Sequence, residues 1–410
     1  MIKCKDVKAS NYRLEMLETD YLVIGAGALS ISFIDELIHK SQDIRVVVVE
    51  KRAKPGGHWN DAYPFVRLHQ PAAWYGVNST SLGKGGADLV SKSQILAYYE
   101  AVTEKLVLTN RVTFHWQCEY MEDGNIVSLL EAGLKTKVNT NKFIFLQFIA
   151  YSSFILFPFD NIQSNILIWS FQVSVLRKVV DGTRMTANVP SMRPPSYKVG
   201  EGVNVIPLNG LADLKFPYKK YVVVGAGKTG LDALLYLLER NVSPERISWI
   251  VPNDCWYLNR DVFKMDDLWS EMEKQYTAVI QAKNIDDLYL KYEELGIMMR
   301  IDKNHWPTRM RGATISCNEL EKLQAVKNIF RHGRIKEISS HSILFENGTS
   351  ISTDNESLYV DCSASGCGLG AHTPAVDIFN GKLINLQMFL LPQPCTCSAI
   401  IAALELRYVI

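Results

Sequence analysis

Two short segments of this chain share one spacing of glycines, Gly25-Ala26-Gly27-Ala28-Leu29-Ser30 and Gly225-Ala226-Gly227-Lys228-Thr229-Gly230. Each follows a β-branched run, at residues 21–24 and 221–224, and each opens an amphipathic stretch. In such a turn the first glycine lets a strand bend sharply into a helix. The second lets backbone N–H groups approach a pyrophosphate, and the helix N-terminus supplies unpaired donors and a partial positive charge. One turn of this kind binds one dinucleotide. Two in one chain predict two dinucleotides held face to face, so that electrons pass between them.

The elements around the first turn agree. A helix is expected over residues 29–40, with Ile34, Leu37 and Ile38 on its packing face. A strand over 44–49 ends in Glu50, an acid placed to accept the hydroxyls of an adenosine ribose. In the second unit the helix is expected over 229–240 and the next strand over 247–251. That strand ends in Pro252-Asn253-Asp254, with no acid directly at its tip, and Arg260 follows. A basic group and a missing acid favour a 2′-phosphate, hence NADP over NAD; the alternative for Arg260 is a solvated loop arginine.

At 410 residues the chain is long enough for two or three domains. A net charge of +1 argues against a broad nucleic-acid surface. Residues 1–20 are polar and mixed in charge, without the apolar core of a secretory signal. The eight cysteines are scattered, as reduced thiols of a cytoplasmic protein would be. No C-x-x-C pair is present, so a dithiol relay has no evident candidate. Cys395 and Cys397 read as two buried small residues. No metal site is expected.

Two further segments complete a pattern. Gly56-Gly57-His58-Trp59 follows Glu50, and Tyr359-Val360-Asp361-Cys362-Ser363-Ala364-Ser365-Gly366 is a late strand with a small-residue turn. With the two glycine turns, these make the chain resemble the flavin-containing monooxygenases and related N-hydroxylases. The resemblance implies an α/β chain whose Rossmann-like FAD domain is split by an inserted Rossmann-like NAD(P) domain. The expected parts are 1–210 for FAD, 211–347 for NAD(P), and 348–410 as the FAD return. It implies FAD at Gly25, Gly27, Ser30, Glu50, Gly57, His58 and Trp59, with Asp361 and Gly366 returning to that site. It implies NADPH at Gly225, Gly227, Thr229, Gly230 and Arg260. The implied reaction is NADPH reduction of the flavin, then oxidation of a small nucleophilic substrate by O2 through a flavin C4a-hydroperoxide. Segment 67–71 would lie near the isoalloxazine. Gln70 or Asn78 would hydrogen-bond the flavin or a peroxy oxygen, and Trp59 would wall the ring or else pack in the core. One departure matters. The F-x-G-x-x-x-H segment frequent before the second turn in this group is reduced here to Gly210, with no histidine after it. An electron-transfer oxidoreductase that inserts no oxygen, or a non-catalytic product, therefore stays open.

Segment 138–172 breaks the composition: its only charged residues are Lys142 and Asp160. A spanning helix needs about twenty apolar residues, and this run is shorter and holds Pro158. A membrane-surface anchor lacks its cationic face. The preferred expectation is translated intron. The Val138 codon begins GT, as introns do, and the Gln172 codon, CAG or CAA, is compatible with the AG that closes them. If translated, the segment is expected to be a disordered or aggregation-prone excursion that weakens FAD binding. A helix is expected from Ser398, in a chain expected to be truncated soon after it. Elsewhere, 266–300 reads as charged and helical, Arg309-Met310-Arg311 as phosphate ligands or surface loop, Glu346-Asn347-Gly348 as a hairpin turn, and 190–195 as an extended connector.

Overall fold

The computed structural model describes residues 12–85, 88–120, 126–128, 144–149, 168–185, 190–262, 268–364, 376–389 and 393–408. Two parallel sheets organise them. The first runs in the order Phe379–Asn380, Leu383–Asn385, Ile168–Asp181, Tyr12–Ile24, Val46–Glu50, Val112–Trp116. Its Val46–Glu50 strand is buried at every position, as a parallel strand covered on both faces requires. Tyr21 and Val23 point to one face, where Ile31, Ile34, Leu37, Tyr99, Ile401 and Ala402 share their core. Those residues come from the helices Ala28–Lys40, Lys92–Leu108 and Pro394–Tyr408. Leu22, Val47 and Val49 point to the other face, against Cys118 and Val173.

The last helix locks this sheet with a buried charge. Glu405 accepts a hydrogen bond from Tyr21 Oη at 3.0 Å and pairs with Lys178 Nζ at 2.7 Å. Burial and the Glu405 charge together push the Tyr21 phenol far above its ordinary pKa.

The second sheet runs Asn328–Phe330, Ile247–Ile250, Lys220–Val224, Ser357–Asp361, Asn204–Pro207, all parallel. The helices Lys228–Glu239 and Cys317–Gln324 cover one face through Leu231, Leu234 and Leu323. The antiparallel strands Ile335–Ile338, Ser342–Phe345 and Ser350–Ser352 cover the other. Gly348, at φ +86°, makes the expected hairpin turn. The charged stretch forms the helices Leu268–Gln281 and Ile285–Glu294.

Three expectations are corrected. The Ser357–Asp361 strand lies beside Lys220–Val224, so Asp361 belongs to the second unit and not to the FAD return. A fully buried parallel strand reads the same in either sheet, which is why its sequence did not assign it. The second unit thus begins by Asn204 and runs past Asp361, beyond the 211–347 expected, and the first sheet resumes at Phe379. The proline connector is a short 3₁₀ turn at Pro190–Met192, not an extended segment. Gly366 lies outside the described residues, as does most of 138–172. Of the latter, Ile144–Ile149 pairs antiparallel with Ile168–Val173, at the edge of the first sheet. No helix among the described residues is long and apolar enough to cross a membrane.

Candidate functional site

In the first turn Gly25 stands at φ +87° and its N–H donates to Val49 O at 2.8 Å. Ala26 N–H donates to Glu50 Oε2 at 2.6 Å, and Arg52 N–H to Oε1 at 2.8 Å. The buried carboxylate keeps lone pairs beyond these two bonds, as a ribose acceptor needs. The Ala28–Lys40 helix then starts with neither a side-chain cap nor an acid in its first turn. Helices Lys92–Leu108 and Cys317–Gln324 instead carry full capping boxes from Ser91 and Ser316. Leaving N-terminal donors without a cap costs stability unless an anion takes them. Gly56 and Gly57 fold over this turn, with Gly56 N–H donating to Ala26 O at 2.9 Å.

The second turn repeats these parts. Gly225 N–H donates to Ile250 O at 3.0 Å, and the Lys228–Glu239 helix begins uncapped after Gly227. Tyr257 Oη holds Ala226 O at 2.9 Å and Trp249 Nε1 holds Gly225 O at 2.8 Å, fixing the turn from behind. Thr229 is half-buried in the first turn of that helix. Lys228 Nζ is paired with Asp232.

A second repeat went unread in the sequence. Each central strand is flanked by one that ends in Asp, then a small residue, then Thr or Ser. Gly182 N–H donates to Ile24 O at 3.0 Å, and Cys362 N–H to Val224 O at 2.9 Å. Asp181 Oδ1 accepts from Thr183 N–H at 2.8 Å, and Asp361 Oδ1 from Ser363 N–H at 2.9 Å. The space beneath each turn is divided differently. A Cβ on Gly182 would lie 1.9 Å from Ser30 Oγ, while a Cβ on Gly230 would lie 2.2 Å from Gly225 O. In the first unit the helix keeps a serine and the strand exit a glycine; in the second the helix keeps a glycine and the exit a cysteine. Ser30 is therefore fully buried against Gly182, under the turn. The signal for all this was the D-x-[ST] after each β-branched run.

The two units meet along a seam. Tyr63 Oη bonds Asp232, the Phe65 ring stacks on Tyr236 with centroids 3.8 Å apart, and Asn209 Nδ2 donates to Asp61 O at 3.1 Å. Arg260, expected on a 2′-phosphate, is a strut of this seam. Its Nε donates to His69 O at 3.1 Å, Nη1 to Glu319 at 2.9 Å and Nη2 to Thr314 O at 3.3 Å. The Cys255–Asn259 strand carries it away from the tip of Ile247–Ile250. At that tip stand other arginines. Arg331 Nε lies 3.1 Å from both Asp254 carboxylate oxygens. Arg309 and Arg311 are exposed, and Arg311 Nη1 reaches across to Ala364 O at 3.1 Å.

The remaining expected residues separate. His58 sits beside the first turn with its side chain exposed. Trp59 packs into the core, its Nε1–H donating to Tyr75 Oη at 2.7 Å. Gln70 is buried beside His69 in the seam. Asn78 donates to Glu36 Oε2 at 2.8 Å, two helical turns and more from Gly27. Cys395 and Cys397 are buried, as expected. Among the described residues no group of His, Cys, Asp and Glu could hold a metal.

No family model matches the chain. It is 36% identical over 408 residues to an uncharacterised protein of Mycobacterium tuberculosis, covering 96% of this chain and 68% of that protein. An uncharacterised protein of Mycobacterium bovis matches to the same extent. Among solved structures, a flavin-containing monooxygenase from Stenotrophomonas maltophilia aligns with a TM-score of 0.52 at 14% identity, over 96% of this chain and 100% of that one. An oxidised steroid monooxygenase bound to NADP aligns with a TM-score of 0.53 at 13% identity, over 96% and 85%. A cyclohexanone-bound cyclohexanone monooxygenase gives 0.53 at 12%, over 95% and 88%. The chain belongs to the family of the mycobacterial proteins, and its fold is the two-dinucleotide-binding-domain fold of these flavin monooxygenases.

Proposed function

We propose that this protein is an FAD-dependent oxidoreductase reduced by NADPH, of the monooxygenase type, acting with O2 on a small nucleophilic substrate. The observation that carries it is the pair of uncapped helix N-termini, each following a glycine turn at the end of a parallel strand, in two units that share a seam. Both cradles fit a pyrophosphate. A Cβ at Gly227 would meet nothing within 4 Å, and one at Gly27 only Gly57 Cα at 3.7 Å, so neither glycine is required by its protein neighbours. In the first unit the turn amides would hold FAD by its pyrophosphate and Glu50 by its ribose. In the second, the 225–230 turn would hold NADPH, with Arg309 and Arg311 at the 2′-phosphate. Bound there, FAD would supply hydride acceptance from the nicotinamide and onward electron transfer. The protein's own share is to align the two ligands through the Tyr63–Asp232 and Arg260–His69 links and to keep water from the seam.

A dithiol relay finds no support among the described cysteines. Burial pushes the Cys118 and Cys395 thiols up to about 12 and holds the Cys362 thiol well above the ordinary range, so none of the three supplies a thiolate.

Rapid mixing tests the reading on the purified chain, with and without residues 138–172, which we still take for translated intron. NADPH added without oxygen is expected to bleach a bound flavin, and O2 to restore it. Labelled oxygen found in an oxidised amine or sulfide supports insertion. Reoxidation that yields only hydrogen peroxide for every amine and sulfide tried favours the plain electron-transfer enzyme. Absence of flavin, or no bleaching, overturns the proposal.

Arg311→Ala is expected to weaken NADPH binding about 10- to 100-fold, the range of one charge-assisted contact, and NADH little. Arg260→Ala should weaken both nucleotides alike, because it loosens the seam. A selective NADPH loss in Arg260→Ala alone would return the 2′-phosphate to Arg260.

A further inference from the structure

His69 is not accounted for by the fold. Its carbonyl is held by Arg260, but its buried Nδ1 has no hydrogen-bond partner among the described residues. A buried polar atom without a partner costs stability unless a ligand satisfies it. The ring stands on the first unit's side of the seam, within electrostatic reach of Lys228 and Arg260 of the second. Lys228 is the first residue of the uncapped helix, so the imidazole lies within electrostatic reach of the cation at that helix's N-terminus.

We propose that His69 is the first unit's contact to the pyrophosphate of the pyridine nucleotide, with Nδ1–H donating to a phosphate oxygen beside Lys228. This rests on the second glycine turn's being a nucleotide site, as argued above. The residue thereby makes binding of the second ligand depend on closure of the seam.

The electrostatics give the contact a signature. The charged groups facing His69 are Lys228, with its partner Asp232, and Arg260, with its partner Glu319. Burial first, then the two cations, hold the free imidazole down at about 3. A phosphate between them reverses that repulsion and raises the imidazole pKa. A group whose pKa rises on binding takes up a proton, and the ligand binds more tightly as pH falls through the raised value. If the bound pKa returns to the ordinary 6.5, uptake is about 0.9 proton at about pH 5.5, and Kd tightens about tenfold from about pH 7.5.

The test is calorimetric titration of the full flavin-loaded chain with NADP+, in buffers of different ionisation enthalpy, at both pH values. Comparison with H69Q cancels the titration of the nucleotide's own 2′-phosphate. The variant keeps the backbone carbonyl that Arg260 holds. Proton uptake in the native protein that exceeds that of H69Q, with a Kd in H69Q at least tenfold weaker at the acid pH, is the expected result. Equal uptake and equal Kd overturn the assignment of His69 and leave the nucleotide site standing. Failure of NADP+ to bind the native protein overturns both. Uptake in the native protein measured with NAD+, which carries no 2′-phosphate, is a readout that does not depend on how well the variant folds.

Discussion

Gly27→Ala and Gly227→Ala are expected to leave the fold intact and abolish ligand binding at the two sites. Gly27 stands at φ −85°, ψ −177° and Gly227 at φ −84°, ψ 179°, extended backbone that any residue adopts. Neither new methyl meets an obstacle in the protein. Removing a glycine at an unstrained position stabilises a chain by about 0.4–1 kcal/mol. The only thing displaced is a ligand that must approach the turn within van der Waals contact. Gly27→Ala should therefore melt no lower than the native chain and yet retain less than about a tenth of its flavin, the effect of a 1.4 kcal/mol penalty or more. Gly227→Ala should keep its flavin and lose NADPH binding by a similar or larger factor. A yellow Gly27→Ala protein with stoichiometric flavin would contradict the site. Gly25→Ala is a different experiment, because φ +87° and Thr183 Cγ2 at 3.2 Å make that glycine a demand of the fold itself.

Gly230→Ala should be the most damaging single methyl in the second unit. Its Cβ would fall 2.2 Å from Gly225 O, a backbone atom that cannot rotate away. Overpacking of this kind costs on the order of 3 kcal/mol, which lowers the melting temperature by roughly 6–12 °C in a unit of this size. The first unit allows the converse test. Gly182→Cys alone drives a side chain into Ser30, whereas Ser30→Gly with Gly182→Cys recreates the division of space found at Gly230 and Cys362. The double variant is expected to recover most of the stability that Gly182→Cys loses, as read by thermal melts. No recovery would mean that the two turns are not built from interchangeable parts.

The sequence was readable where the message is local. A strand, a glycine turn, a helix and an acid follow one another within residues 21–50, so the helix Ala28–Lys40, the strand Val46–Glu50 and the place of Glu50 could all be read in order. It was not readable where the answer depends on which segments pair across long separations. The strand Ser357–Asp361 carries the same apolar run whichever sheet it joins, so Asp361 was expected at the wrong turn. Arg260 is close to the tip of Ile247–Ile250 along the chain, but an intervening strand takes it to the seam, while Arg311, over fifty residues further on, comes back to the tip. Trp59 and Asn78 were read by residue type, and each has its polar group taken by a protein partner, Tyr75 and Glu36. His69 lay inside a segment expected near the flavin, but only the structure shows that its Nδ1 is left over.

The buried Glu405 also orders events during synthesis. The second unit is one continuous stretch, complete once the Ser357–Asp361 strand has emerged from the ribosome. The first unit has its central strand at Tyr12–Ile24 and its closing charge at residue 405, so Lys178 and the Tyr21 hydroxyl lack their partner until residue 405 is made. Between residue 361 and residue 405, at about 5–20 residues per second, lie roughly 2–9 s. For that time the nascent chain exposes an unfinished parallel sheet beside a finished neighbour. The first unit, although begun first, closes after the second.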